Sequence, residues 1–162
     1  MVRLAIFAAL AALVVLSTTT ALTFDYDVRI LNRKEGGWLN GHNSPQFTPI
    51  VVEEKSAGDL GIWNVANYGE RDHIFINRGS RFAVVTPRTG GPLETSAALI
   101  PPAVVRLEDV DVSTYRIKDI DTGLYWTREH SKVFLHHLDT SDDNQIWEFR
   151  PQRFDDELAF WE

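Results

Sequence analysis

The sequence predicts an all-β domain, a β-trefoil of three degenerate four-strand repeats. Three observations predict it. From Asp27 onward, short runs rich in Val, Ile and aromatics alternate with Gly, Asn, Asp and Pro. That region carries no 3.6-residue apolar stripe of the kind a helix needs. One segment also recurs. Val28-Arg29-Ile30-Leu31-Asn32 with Gly36-Gly37-Trp38 matches Tyr115-Arg116-Ile117-Lys118-Asp119 with Gly123-Leu124-Tyr125, at an offset of 87 residues and without a gap.

The elements follow in order. Arg3 precedes an uninterrupted apolar run from Leu4 to Leu16, and the small residues Ser17 to Ala21 follow it. This order of charge, short apolar run and small residues is that of a secretory signal peptide, read here as residues 1–21. The run is shorter than the roughly 20 residues a membrane span needs. The next strands are Val28–Leu31, Pro49–Glu53, Ile62–Val65, Ile74–Ile76, Arg81–Val85 and Ala103–Leu107. Tyr115–Ile117, Leu124–Trp126, Lys132–His136 and Gln145–Phe149 complete the set. An offset of 87 is about twice 43, so a middle copy should start near residue 72. His73-Ile74-Phe75-Ile76-Asn77 stands there, with Gly79 and Phe82. The outer copies end on Trp63 and Trp147, and the middle one has no tryptophan at its close. On a pseudo-threefold axis, Ile30, Phe75 and Ile117 should be equivalent core positions, as should Trp38, Phe82 and Tyr125. The trefoil domain is placed at 25–150 and an acidic C-terminal tail at 151–162.

Composition narrows the function. The chain has 162 residues, 44% of them hydrophobic, enough for one core. Its net charge is −7, and removal of Arg3 with the signal peptide makes it more negative. A negative domain is a poor partner for nucleic acid, whose phosphates call for clustered Lys and Arg. Without cysteine the fold must hold by packing alone. Asn43-Ser44-Pro45 fails the N-glycosylation pattern, and no other acceptor occurs.

Tyr115 to Tyr125, then Trp126, Val133-Phe134-Leu135 and Asp143-Asn144-Gln145-Ile146-Trp147, resembles the ricin-B-type lectin repeat with its terminal Gln-x-Trp. The likeness is weaker in the first unit, where Gly61-Ile62-Trp63 stands in that place. The resemblance implies a trefoil with shallow sugar sites, up to one per repeat. Position by position it points to Thr127, His136 (or Phe134 in a shifted register), Asn144 and Gln145 as the carbohydrate-binding set. The family pattern has Asp where this chain has Thr127, and Asn40 stands there in the first unit. Gln145 and Trp147 also admit a purely structural reading, with Trp147 in the core and Gln145 bonding local backbone.

The skeleton is also similar to fungal β-trefoil protease inhibitors. Val85 to Thr95 reads as an exposed loop, with Pro87 and Pro92 restricting the backbone and Arg88 forward. Arg88 would then serve as the residue offered to a trypsin-like protease. Arg33-Lys34 is a second basic tip. The histidines are scattered, and adjacent His136 and His137 face opposite sides of a strand, so no metal or other cofactor is expected. No nucleophile elbow or phosphate loop occurs, so the protein is read as no enzyme. Two function classes stay open: a secreted, non-enzymatic ricin-B-like lectin, or a secreted trefoil protease inhibitor acting around Arg88. The partner is accordingly a glycan or a secreted protease. The mature domain is expected to be an extracellular monomer without nucleic acid or a stable membrane anchor.

Overall fold

A computed structural model describes residues 24–44, 47–87, 90–97 and 100–152. The signal peptide read at 1–21, Arg88, and residues 153–162 of the tail lie outside the described residues.

The barrel follows from alternation along its strands. In β1 (Phe24–Asn32), Val28, Ile30 and Asn32 are buried while Arg29 and Leu31 are half-buried, so one face looks inward. β1 pairs antiparallel with both β5 (Trp63–Asn67) and β13 (Trp147–Pro151). β5 pairs with β6 (Asp72–Asn77), and β6 with β9 (Val105–Asp111). β9 pairs with β10 (Thr114–Asp119), and β10 with β13. These pairings close a six-stranded ring, which removes open edges from the barrel.

Three hairpins cap the ring, one per repeat. They are β2 (Trp38–Asn40) with β4 (Val51–Glu53), β7 (Ala83–Val85) with β8 (Glu94–Ser96), and β11 (Tyr125–Glu129) with β12 (Lys132–His136). Each hangs from the first strand of its own repeat through Leu31↔Trp38, Ile76↔Ala83 or Lys118↔Tyr125. A two-residue strand, β3 (Thr48–Pro49), ties the first hairpin region to β8.

The turn into each hairpin repeats to the hydrogen bond. The amides of Asn32, Asn77 and Asp119 donate to the carbonyls of Gly37, Phe82 and Leu124 at 2.8, 2.9 and 2.8 Å. Their own carbonyls accept from Gly36, Arg81 and Gly123 at 3.0, 2.8 and 2.9 Å. Those three donors all sit in the left-handed region, at φ +68°, +64° and +72°. Glycine adopts that conformation freely, and Arg81 does not.

The core meets the expectation at Ile30, Phe75 and Ile117, each fully buried. Of Trp38, Phe82 and Tyr125 only Tyr125 is buried, and Phe82 is out of register: the turn matches it to Gly37 and Leu124, and Ala83 is the middle-repeat match of Trp38 and Tyr125. The inward residues are the next ones along, Leu39, Val84 and Trp126, all at 0% exposure. The cause is the two-residue strand period, which turns Trp38 outward beneath the Arg150 guanidinium, 5.2 Å from its ring.

The structure also explains the missing tryptophan. Trp63 donates its indole N–H to the Leu39 carbonyl at 2.8 Å, and Trp147 donates to the Trp126 carbonyl at 3.1 Å. In the middle repeat the buried Val105 takes that place, and the Ala103 amide donates to the matching Val84 carbonyl at 2.8 Å. The carbonyl keeps a donor and the core keeps an apolar side chain.

Two expectations need correction. Val85 to Thr95 is not one exposed loop: Leu93 and Thr95 are fully buried, and Glu94–Ser96 is β8. Gln145 does not open a strand but ends a 3-10 turn, Asp143–Gln145. β2 and β8, three residues each, were too short to stand out as runs of β formers.

Candidate carbohydrate face

The four residues singled out from the sequence all lie in the third repeat, in two layers. The lower layer is Thr127 and Gln145, 5% and 1% exposed. Gln145 donates from Nε2 to Thr127 Oγ1 at 3.0 Å and to the His137 carbonyl at 2.8 Å. Its Oε1 accepts from the Asp139 amide at 2.9 Å. Thr127 donates its hydroxyl to the Tyr125 carbonyl at 3.1 Å. The polar groups of both residues are thus engaged inside the protein. They form a brace that ties the β11–β12 hairpin to the loop before β13.

The upper layer is His136 and Asn144. His136 ends β12 with its side chain 46% exposed, and Nε2 lies 2.7 Å from Glu129 Oε1. Asn144 is half-buried, anchored through its main chain: its amide donates to Asp142 at 3.0 Å, and its carbonyl accepts from Asn32 Nδ2 at 3.0 Å. The loop beneath is set by its acids. The Ser141 hydroxyl and then its amide, both on Asp139, hold that carboxyl below the usual carboxylate range.

The hairpin adds two residues to this face. Pairing sets Tyr125 opposite His136, Thr127 opposite Phe134 and Glu129 opposite Lys132. Directly paired residues share one face. The Phe134 and His136 rings meet edge to face, 6.5 Å between centroids. Glu129 reaches past the short Thr127 to His136 and brings a carboxylate to the neighbourhood where the family pattern places Asp. Reading the family position alone missed Glu129. The signal was available: it stands two residues after Thr127 on one strand, hence on the same side.

The other two repeats treat this place differently. In the first, Asn40 matches Thr127 and Gly61 matches Gln145 by the shared turn register. Asn40 is 1% exposed, donates to Glu53 at 2.7 Å and the Lys55 carbonyl at 2.9 Å, and accepts from the Ala57 amide at 3.0 Å. One Asn does the bridging that Thr127 and Gln145 share. It also fills the space of the missing side chain, since a Cβ on Gly61 would overlap Ser56 Oγ and lie 2.8 Å from Asn40 Oδ1. Gly61→Ala is therefore expected to cost ~2 kcal/mol by overpacking, measurable as a lower urea midpoint. In the middle repeat the matching pair is Val85 and Ala103, both apolar. There a cleft of about 460 Å³ opens beside Val85, Glu94 and the exposed Phe47.

Among the described residues no group of three or more His, Asp or Glu side chains is placed to hold a metal ion.

No family model matches the chain, and no curated protein matches it. Solved structures do. The designed threefold-symmetric protein ThreeFoil superposes with a TM-score of 0.66 at 18% identity, over 76% of this chain and 96% of that one. The fold is a β-trefoil. SeviL, solved bound to the asialo-GM1 saccharide, gives 0.65 at 14% identity, over 79% of this chain and 98% of SeviL. The exo-β-1,3-galactanase of Clostridium thermocellum gives 0.69 at 15% identity over 82% of this chain, which spans only 31% of that enzyme. The fold implied by the ricin-B-type resemblance is thus the fold the chain has.

Proposed function

We propose that this protein is a secreted, non-enzymatic carbohydrate-binding trefoil that takes its glycan on the hairpin face of the third repeat. One observation carries the reading. Glu129, Phe134 and His136 present a carboxylate and two rings on one side of β11–β12, backed by the Thr127–Gln145 brace and flanked by Asn144. A carboxylate accepts hydrogen bonds from sugar hydroxyls, and a ring face takes the C–H surface of a pyranose. A braced hairpin presents these groups with little ordering cost on binding. SeviL, which superposes on this chain and was solved with a saccharide, supports the same reading. Secretion rests on the order of residues in 1–21.

Galactose-containing glycans, the asialo-GM1 saccharide among them, are the first probes. A glycan array of the purified domain is expected to give hits that His136→Ala and Glu129→Gln each weaken about tenfold, a loss of ~1.4 kcal/mol. Both variants should keep the parent circular dichroism spectrum, since the two side chains are partly exposed. A blank array from folded protein, or binding untouched by both variants, would refute the proposal.

A further inference from the structure

A second cleft, of about 320 Å³, lies away from the third-repeat face. It opens on the outside of the barrel, where the first and second repeats meet. Its floor is a row across three strands, Asp27 on β1, Asn64 on β5 and Ile76 on β6, in direct register. Val28, Val65 and Phe75 beside them point into the core, so this row faces outward. Arg78 and Arg81 from the β6–β7 turn line its rim. Asn64 Nδ2 donates to Asp27 Oδ1, and Arg78 Nη1 lies 3.4 Å from Asp27 Oδ2. Arg81 is exposed and, among the described residues, makes no ion pair.

The protein's own symmetry provides two controls. At the matching places the row reads Asp72, Arg106, Lys118 and Thr114, Glu148, Leu31. The middle position is charged in both and already paired on the surface: Arg106 with Asp72 at 2.8 Å, Glu148 with Arg150 at 2.7 Å. Only in the first groove is it a neutral amide. The left-handed turn position is Gly36 and Gly123 in the other two repeats, and Arg81 here. A long cationic side chain thus sits where glycine is the easy choice, over the one groove whose middle position is not itself ion-paired.

We propose that this cleft is a binding site for a sugar acid, a carboxylate borne on a polyhydroxylated ring. The free guanidinium of Arg81 is suited to a bidentate grip on the carboxylate. Asp27, with acceptor capacity beyond the Asn64 bond, and Asn64, with an amide oxygen, take ring hydroxyls. Arg78, balanced by Asp27, holds that carboxylate in place. An ordinary anion site would not keep a carboxylate in its floor, so hydroxyl recognition is part of the proposal. It rests on none of the residues of the third-repeat face.

The test is an NMR titration of the full-length mature domain with glucuronate and N-acetylneuraminate, with glucose and inorganic phosphate as comparison probes. A sugar acid is expected to shift the amides of residues 76–82 and to bind at least tenfold more tightly than glucose or phosphate. Arg81→Gly takes the residue of the other two repeats, so it keeps the fold, and it should weaken sugar-acid binding tenfold or more. Asn64→Arg, copying the middle groove, should abolish it by closing the floor on Asp27. His136→Ala should leave it unchanged. No shift with either acid, equal binding of phosphate, or binding unaffected by Arg81→Gly would each overturn the proposal.

Discussion

Trp147→Ala is expected to cost about 3–5 kcal/mol, the largest effect of any single truncation proposed for this domain. Trp147 is fully buried on the barrel strand that closes the ring between β1 and β10. Its removal leaves a cavity beside the core and strips the Trp126 carbonyl of its indole donor. The first loss scales with volume, and the second adds the cost of an unsatisfied buried acceptor, about 1–3 kcal/mol. Trp147→Phe should separate them, retaining most of the volume while losing the bond. Since domains of this size are stable by only about 5–15 kcal/mol, the alanine variant should show a lowered denaturant midpoint or fail to accumulate folded. Val105→Ala, at the matching place in the middle repeat, should cost about 2 kcal/mol because no side-chain hydrogen bond is lost there. A Trp147→Ala variant as stable as the parent would contradict the assigned core.

Asn77→Asp is the second large effect, expected at about 3 kcal/mol or more. Asn77 is fully buried, and its Nδ2 donates to the carbonyls of Leu60 at 2.7 Å and Ile62 at 3.4 Å. Its Oδ1 accepts from the Ser80 amide and hydroxyl at 3.0 and 3.1 Å. An ionised aspartate has no proton for the two carbonyls and would face them as an uncompensated buried charge. The same repeat position carries a natural aspartate, Asp119, without harm, and the reason is local. There the carboxylate meets donors only: the Thr122 amide and hydroxyl at 2.8 Å each, and the Thr86 hydroxyl at 2.7 Å. Asp119→Asn should accordingly cost much less, about 1 kcal/mol. Thermal melts of the two variants side by side would check the contrast, and equal losses would contradict it.

These contrasts show what could be read in the chain beforehand. The outer repeats were legible because they keep both halves of the pattern, the Val28 or Tyr115 strand start and a closing tryptophan. The middle repeat was legible only through its core residues. Its Val105 breaks the tryptophan rule, and the compensating Ala103 amide is a backbone bond that leaves no mark in the sequence. The misassignment of Trp38 and Phe82 has a similar origin. Large aromatics invite assignment to the core, but strand parity decides it and puts Leu39, Val84 and Trp126 inside.

The candidate site was legible in part. Asp143 to Trp147 pointed to the third repeat, and the structure places His136 and Asn144 toward its surface. The motif could not separate a side chain that meets a ligand from one that holds the loop. Gln145 and Thr127 are bonded to each other in the interior, which depends on a loop folding back from Asp139 that no local pattern announces. Glu129 lay within reach of sequence reasoning, through period two on a strand. The cleft under Arg81 did not, since its three floor residues come from three strands brought together only by register.

The third-repeat hairpin is the proposed glycan face. Its most direct test is an NMR titration of isotopically labelled domain with the best array hit, following the amides of Glu129, Phe134, His136 and Asn144 together with the side chain of His136. The expected result is saturable shifts clustered on those residues, with Gln145 and Thr127 moving little because they are buried beneath. Saturable shifts centred elsewhere, or none at all in these residues at saturating glycan, would contradict it.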